Sequence, residues 1–369
     1  MKQAVMRLRS RINNRIRCFF DRRGYLEVET PLLAPHLIPE SHLEVFATEL
    51  ITPYGPSQPR YLIPSPEVWH KQLLAAGYGN LFEITRCFRN GEQFGAHHNP
   101  EFTMLEYYTV DADHLDSITV TEHLFDYLLD ELQPELLDYG RSEAQLQQLR
   151  PPFARLSVRA AVLSATGIDI NDHQRSGSLA AAAERIGMAA PASRAEGTHG
   201  LEGGGSAGAG NDAVDSWEGI FNRIFVDRVE PELPQERPLV LTDYPAQIRT
   251  LAQSTPDQRS SRRWELYAGG IELANCYAEE RSAETVAQFF AAEAVARRHC
   301  RVPHAVDQHF SRWFGEHFPR CSGVALGVDR LVMLLLGEIN MSRVILFPES
   351  DILPQRTYGN QGHTQGYTR

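Results

Sequence analysis

The sequence is poor in the features that mark several large protein classes. It has five cysteines in 369 residues, Cys18, Cys87, Cys276, Cys300 and Cys321. They are scattered, odd in number and never spaced CxxC. This excludes a disulfide framework and a zinc site of the usual spacing, and it fits reduced thiols in a cytoplasm. No apolar run approaches the roughly 20 residues of a membrane span. Basic residues are in deficit: 36 Lys and Arg against 47 Asp and Glu give a net charge of -11. A broad nucleic-acid footprint is therefore excluded, although a local basic site is not. The GxGxxG and GxxxxGK[ST] signatures are missing, so a nucleotide site here is neither of the Rossmann nor of the P-loop kind. No internal repeat is present.

The remaining composition is that of a globular chain, with 42% apolar and 22% charged residues and ample length for a buried core. The first 20 residues are Arg-rich and free of acids, which leaves a transit peptide open. Leu8, Ile12, Ile16 and Phe19 recur at helical spacing and argue for a docked first helix. A strand, a Ser-Pro-Glu turn and a helix follow over "YLIPSPEVWHKQLLAAGYG". Strands are expected at "LFEITRCF" and "PEFTMLEYYTV", bracketing a polar loop, then a helix over about Leu115 to Leu137. The Gly-rich stretch within 191–215 reads as a surface insertion, since it lacks the lysine of a phosphate loop. Residues 354–369 read as a polar, disordered tail.

Three constellations carry chemistry. In "EFTMLEYY", strand alternation puts Phe102, Met104, Glu106 and Tyr108 on one face, suited to a flat ring beside a cation. The loop before it supplies Arg89 and His98, groups that suit phosphate. The alternative is a half-buried sheet with a solvated loop. In "WELYAGGIELANCY", a turn at Ala268–Gly269 would set Glu265 opposite Glu272. That like-charge pair would be relieved by Mg²⁺; another turn register would separate the two. Asn275 and Glu279 follow, either as further pocket groups or in a solvated turn. In "GVALGVDRL", Gly323, Ala325 and Gly327 leave one strand face nearly bare, and Arg330 follows at a helix start that favours anions. The alternative there is close strand–helix packing with Arg330 in a surface ion pair.

These residues resemble a known family. "FRNGE…HHNPEFTMLEYY" resembles motif 2 of the class II aminoacyl-tRNA synthetases in their lysyl branch; "GYLEVETPLL" looks like motif 1 and "GVALGVDRL" like motif 3. The likeness covers residues 5 to 350 apart from the Gly-rich insertion. The chain starts at the catalytic domain, without the N-terminal OB domain that reads an anticodon, and so is similar to the truncated lysyl-synthetase paralogues that ligate (R)-β-lysine to elongation factor P. "PSPEVWHKQLL", "GIELAN" and Ala325, where lysyl-tRNA synthetases have Gly, are the nearest signs.

The resemblance implies an α+β class II core, an antiparallel sheet flanked by helices, in one catalytic domain over 1–353. It implies ATP and Mg²⁺, a homodimer through motif 1, and no tRNA or membrane partner. Arg89 and Arg330 would grip phosphates and serve catalysis. Phe102 would stack on adenine with His98 near the γ-phosphate, and Glu92 would add an ATP contact. Glu265 and Glu272 would hold Mg²⁺. Ser65, Glu67, Glu106, Tyr108, Asn275, Glu279 and Ala325 would line the amino-acid site, with Glu67 on the backbone-type amine and Glu106, Tyr108 and Glu279 on the ε-ammonium. Other readings stay open: an α-lysine enzyme with another acceptor, or a silent homologue that binds a partner. The sequence departs from the family in a motif 2 loop one residue longer, in Ala96 and His97 where an Arg-containing pair is common, in "AEERS" for the usual acidic turn, and in Cys276 for the usual Gly, which would narrow the pocket.

Overall fold

The computed structural model describes residues 2–91, 95–188 and 216–352. The first helix forms as its periodicity predicts: α1 spans Lys2–Asp21 and buries Leu8, Ile12, Ile16 and Phe19 along one stripe. The next elements are β1 (Leu26–Glu27), β2 (Leu33–Ala34), β3 (Ala47–Leu50), β4 (Gln58–Leu62) and α2 (Glu67–Ala75). They are followed by β5 (Leu81–Phe88), β6 (Glu101–Val110) and α3 (His114–Tyr139). Asp113 starts α3 in a capping box with Asp116, and Gly140 closes it in the left-handed conformation at φ 116°.

Further on come α4 (Glu143–Gln148), β7 (Ala154–Ser157), α5 (Val158–Thr166), α6 (Ser176–Arg185) and α7 (Trp217–Ile224). The C-terminal part holds β8 (Leu239–Pro245), β9 (Ser260–Ala268), β10 (Ile271–Ala278), α8 (Ala283–Ala296), β11 (Cys321–Gly327) and α9 (Val328–Leu336).

The main sheet has eight strands in the order β1-β5-β6-β11-β10-β9-β8-β7. Its central pairs are antiparallel, as expected, while the edge pairs β1–β5 and β7–β8 are parallel. One face is sealed by a large core in which Phe19, Phe20, Leu124, Phe125, Leu128, Leu331 and Leu335 from α1, α3 and α9 pack on Leu105, Tyr107, Trp264 and Val324 of the strands. Two further cores flank the opposite face: one from α5–α7 on β8, one from the small β2-β4-β3 sheet with α2 and α8. With helices and small sheet at its margins, the middle of that face is left for polar side chains. The Gly-rich insertion, the C-terminal tail from 354 and Glu92 lie outside the described residues.

Candidate active site

Strand alternation and register decide which side chains share the uncovered face. Ala325 of β11 lies between Glu106 of β6 and Asn275 of β10, and Gly323 lies between Tyr108 and Tyr277. Gly327 is opposite Met104. On the β5 side, Glu106 pairs with Glu83 and Phe102 with Cys87. The small residues of β11 thus form a floor, with Phe102, Met104, Glu106 and Tyr108 rising on one side and Asn275 and Tyr277 on the other.

The hairpin differs from its expected register. The turn is Gly269–Gly270, both at positive φ (61° and 76°), and a bulge shifts the pairing between Glu272 and Ala274. Glu265 is therefore opposite Asn275, and Glu272 is opposite Tyr267, not opposite each other. They still share a face, as diagonal neighbours. Burial first, and then the charge of Glu265, push the Glu272 carboxyl up to about 7. Glu265 accepts from the hydroxyls of Tyr244 at 2.5 Å and Tyr267 at 3.2 Å and pairs with Arg263. The Arg263 guanidinium lies 4.2 Å from the Tyr244 ring centroid.

Two adjoining cavities open on this face. The outer one, about 710 Å³ including its mouth, is lined by Phe102, His98, Glu272, Gly327 and Arg330. The inner one, about 470 Å³, is lined by Ser65, Glu67, Glu106, Tyr108, Glu279 and Gly323. Arg89, Met104, Asn275 and Ala325 border both. Arg330, in the first turn of α9, is anchored three ways: Nη1 donates to the Glu272 carbonyl at 2.6 Å, Nε to the His97 carbonyl at 3.3 Å, and Nη2 lies 3.0 Å from His98 Nε2. Arg89 lies 5.3 Å from the centroid of the Phe102 ring, within cation–π range.

The inner wall is a charged lattice that the sequence did not reveal. His70 is fully buried between Glu83, at 2.8 Å, and Glu106, at 3.2 Å. Burial alone would lower its pKa, but the hydrogen bonds and charges of the two carboxylates outweigh it and raise it to about 9. Both ring nitrogens then carry protons. Glu106 also accepts from the Tyr108 hydroxyl at 2.9 Å. Lys71, next in α2, is likewise fully buried, 2.5 Å from Glu67 and 2.8 Å from Glu279. Burial, with Glu67 and Glu106 adding to it, lifts Glu279 to about 7 against the pull of Lys71. Glu40 borders the inner cavity and is raised to about 7 by burial and by Glu67. For the groups that sequence reasoning missed here, His70, Lys71, Glu83 and Glu40, the only local signal was the i,i+4 spacing of Glu67 and Lys71. Cys276 does not narrow the cavity. It alternates away from Asn275 and Tyr277 into the helix-covered core, 3.1 Å from Ser322 Oγ.

Residues 1–351 match the family described as tRNA synthetases class II (D, K and N). The chain belongs to that family. It is 34% identical over 342 residues to an elongation factor P–(R)-β-lysine ligase of Haemophilus influenzae, covering 92% of this chain and 93% of that one. It is 35% identical over 343 residues to the Salmonella paratyphi A protein of the same name, with the same coverage. The chain is accordingly an ATP-dependent amino-acid ligase of the class II synthetase type, on the α+β fold that defines the family. Among the described residues, no helix is long and apolar enough to cross a membrane.

Proposed function

We propose that this ligase activates (R)-β-lysine with ATP as an aminoacyl-adenylate and transfers it to a lysine ε-amine of elongation factor P, in the cytoplasm and as a homodimer. The relatives' names point to that pair of substrates. The observation that carries the reading is the adjoining of two chemically different cavities at Arg89. One offers an aromatic ring, a histidine and an arginine, and the other offers carboxylates and a phenol. Their meeting point is where a nucleotide phosphate and an amino-acid carboxylate would react. Exposed Leu26, Leu32 and Leu33 supply apolar surface for the dimer contact expected of the motif 1 segment.

The outer cavity suits ATP, with Phe102 against adenine and Arg330 and His98 on the phosphates. The inner cavity suits the diamino acid, with Glu67, Glu279, Glu106, Tyr108, Asn275 and Ser65 around its ammonium groups. Glu265 and Glu272 fit a divalent cation by charge: they share a face, and the charge of Glu265 adds to the burial that pushes the Glu272 carboxyl up to about 7. Mg²⁺ held there would neutralise charge on phosphate oxygens. In the first step a carboxylate oxygen of the amino acid bonds to the α-phosphorus of ATP and the bond to pyrophosphate breaks. Arg89, at the cavity junction, stabilises the charge that spreads over the α-phosphate. In the second step the acceptor amine bonds to the acyl carbon, loses a proton, and AMP departs. Positioning does the work, with no covalent enzyme nucleophile. Residues 1–353 act as one catalytic unit in this scheme.

The test is ATP–pyrophosphate exchange with (R)-β-lysine, α-lysine and no amino acid. Exchange driven best by β-lysine supports the proposal, with Ala325 as the residue that shapes the pocket. Preference for α-lysine moves the activity to the α-amino acid and another acceptor. No exchange with either would overturn the proposed chemistry.

A further inference from the structure

Of the 36 lysines and arginines in the chain, only two are lysine, Lys2 and Lys71. Lys2 is at the surface. Lys71 has no exposed area, although arginine is the usual choice for a buried ion pair. Its ammonium touches Glu67 Oε1 at 2.5 Å and Glu279 Oε2 at 2.8 Å. Both carboxylates line the inner cavity, and Lys71 itself does not. The cation therefore stands behind the wall, not in the pocket. The second oxygen of Glu279 faces the other way. A methyl built on Gly323, on the cavity floor, would come 2.6 Å from Glu279 Oε1. One oxygen of this carboxylate is thus spent on Lys71 and the other is turned to the cavity.

Two carboxylates that reach the same point repel each other strongly where water is excluded. Without the ammonium, one would take up a proton or swing away, and either change removes an anionic acceptor from the pocket. His70, the preceding residue, repeats the arrangement with Glu83 and Glu106. Four carboxylates thus share two cations, and a ligand with two ammonium groups would supply the partners the surplus carboxylates lack.

We propose that Lys71 is a positioning residue for the amino-acid substrate, a resident ammonium that holds Glu67 and Glu279 in place so that each presents its remaining oxygen to a substrate ammonium group. The inference rests on the inner cavity being the diamino-acid site. A compact lysine ammonium suits the task because it donates in three directions from a point, where the arginine fork would impose a plane.

The experiment compares wild type with Lys71→Met and Lys71→Ala in β-lysine- and α-lysine-dependent pyrophosphate exchange, with ATP affinity measured separately by calorimetry without amino acid. The expected result is a rise in the amino-acid KM of roughly 30-fold or more, with ATP affinity changed by less than about two-fold. Propylammonium should lower the raised KM of Lys71→Ala, and tetramethylammonium, which has no N–H, should not. An unchanged amino-acid KM overturns the proposal, as does parallel loss of amino-acid and ATP binding without rescue. If Lys71→Ala folds only with propylammonium present, the amine is diluted away from the folded protein. Loss of amino-acid affinity ahead of ATP affinity supports the role, and joint loss overturns it. Wild-type protein separates the two levels of failure: no exchange with either diamino acid removes the reading of the cavity, whereas normal wild-type exchange with an unaltered Lys71→Met KM removes only the role of Lys71.

Discussion

Gly323 lies directly beneath Glu279 and Tyr108: a β-carbon there would sit 2.6 Å from Glu279 Oε1 and 2.4 Å from Tyr108 Cε1. Both neighbours are buried, and Tyr108 is hydrogen-bonded to Glu106, so neither can give way cheaply. Gly323→Ala should cost about 1–3 kcal/mol of stability through overpacking. It should also raise the amino-acid KM by at least about ten-fold, because the displaced groups are the proposed ammonium ligands. ATP affinity, which the proposal assigns to the outer cavity, should be retained. Steady-state kinetics with each substrate varied in turn, together with a denaturant melt, check both parts. An unchanged amino-acid KM would contradict the placement of the ammonium site.

The strand faces were legible because alternation has a period of two. Phe102, Met104, Glu106 and Tyr108, and the bare face of Gly323, Ala325 and Gly327, follow from that period alone. The hairpin register was not legible. Ala268–Gly269 and Gly269–Gly270 both look like turns, and only the need for positive φ at both central positions selects the glycine pair. The bulge after Glu272 then moved Glu265 opposite Asn275. The ion lattice was hidden for another reason. His70 and Lys71 meet carboxylates brought in by β5, β6 and the end of β10, and local periodicity carries no information on such distant pairings. A reading from strand faces could find the floor and rim of the site but not the cations behind it.

His70 gives a pH dependence of definite sign. Its folded-state pKa is raised to about 9 from an ordinary 6.5. The stabilisation it provides is therefore fully present below pH 6.5 and is lost as pH rises through 9. His70→Gln removes that contribution and leaves Glu83 and Glu106 facing a neutral group. The stability gap between wild type and His70→Gln should be constant below pH 6.5 and shrink between pH 6.5 and 9. Chemical denaturation of both proteins at several pH values measures the gap. A gap that widens with rising pH would show that the imidazole is neutral in the folded protein.

Arg330 should act on the nucleotide alone. Its guanidinium is tied to the carbonyls of Glu272 and His97, so it is held in place before any ligand arrives. Arg330→Ala should lower the pyrophosphate-exchange rate by about 100- to 1,000-fold, the usual range for loss of one preorganised charge-stabilising donor. Arg330→Lys should recover little, because a single ammonium cannot reach the same set of acceptors. Direct amino-acid binding, followed by calorimetry, should stay near wild type. Loss of amino-acid binding in Arg330→Ala would place this residue at the other cavity.

The first helix should matter to the site although it lies on the opposite side of the sheet. Arg9 of α1 pairs with Asp329 at 2.5 Å and donates to Thr103 Oγ1 at 2.8 Å, while Asp329 accepts from the Thr103 backbone N–H at 2.7 Å. Asp329 is almost wholly buried and immediately precedes Arg330. Removing one partner of such a pair strands a charge away from water, at a cost of about 3–5 kcal/mol. Arg9→Met should therefore lower stability by about that amount. It should also weaken ATP binding, because Asp329 anchors the start of α9 to β6 beside Phe102. Adding Asp329→Asn to Arg9→Met removes the stranded charge while keeping an acceptor for Thr103, so the double variant should be more stable than Arg9→Met alone. Denaturant midpoints of the two variants decide it: a double variant less stable than Arg9→Met would mean that Asp329 serves the fold through Thr103 and not through Arg9.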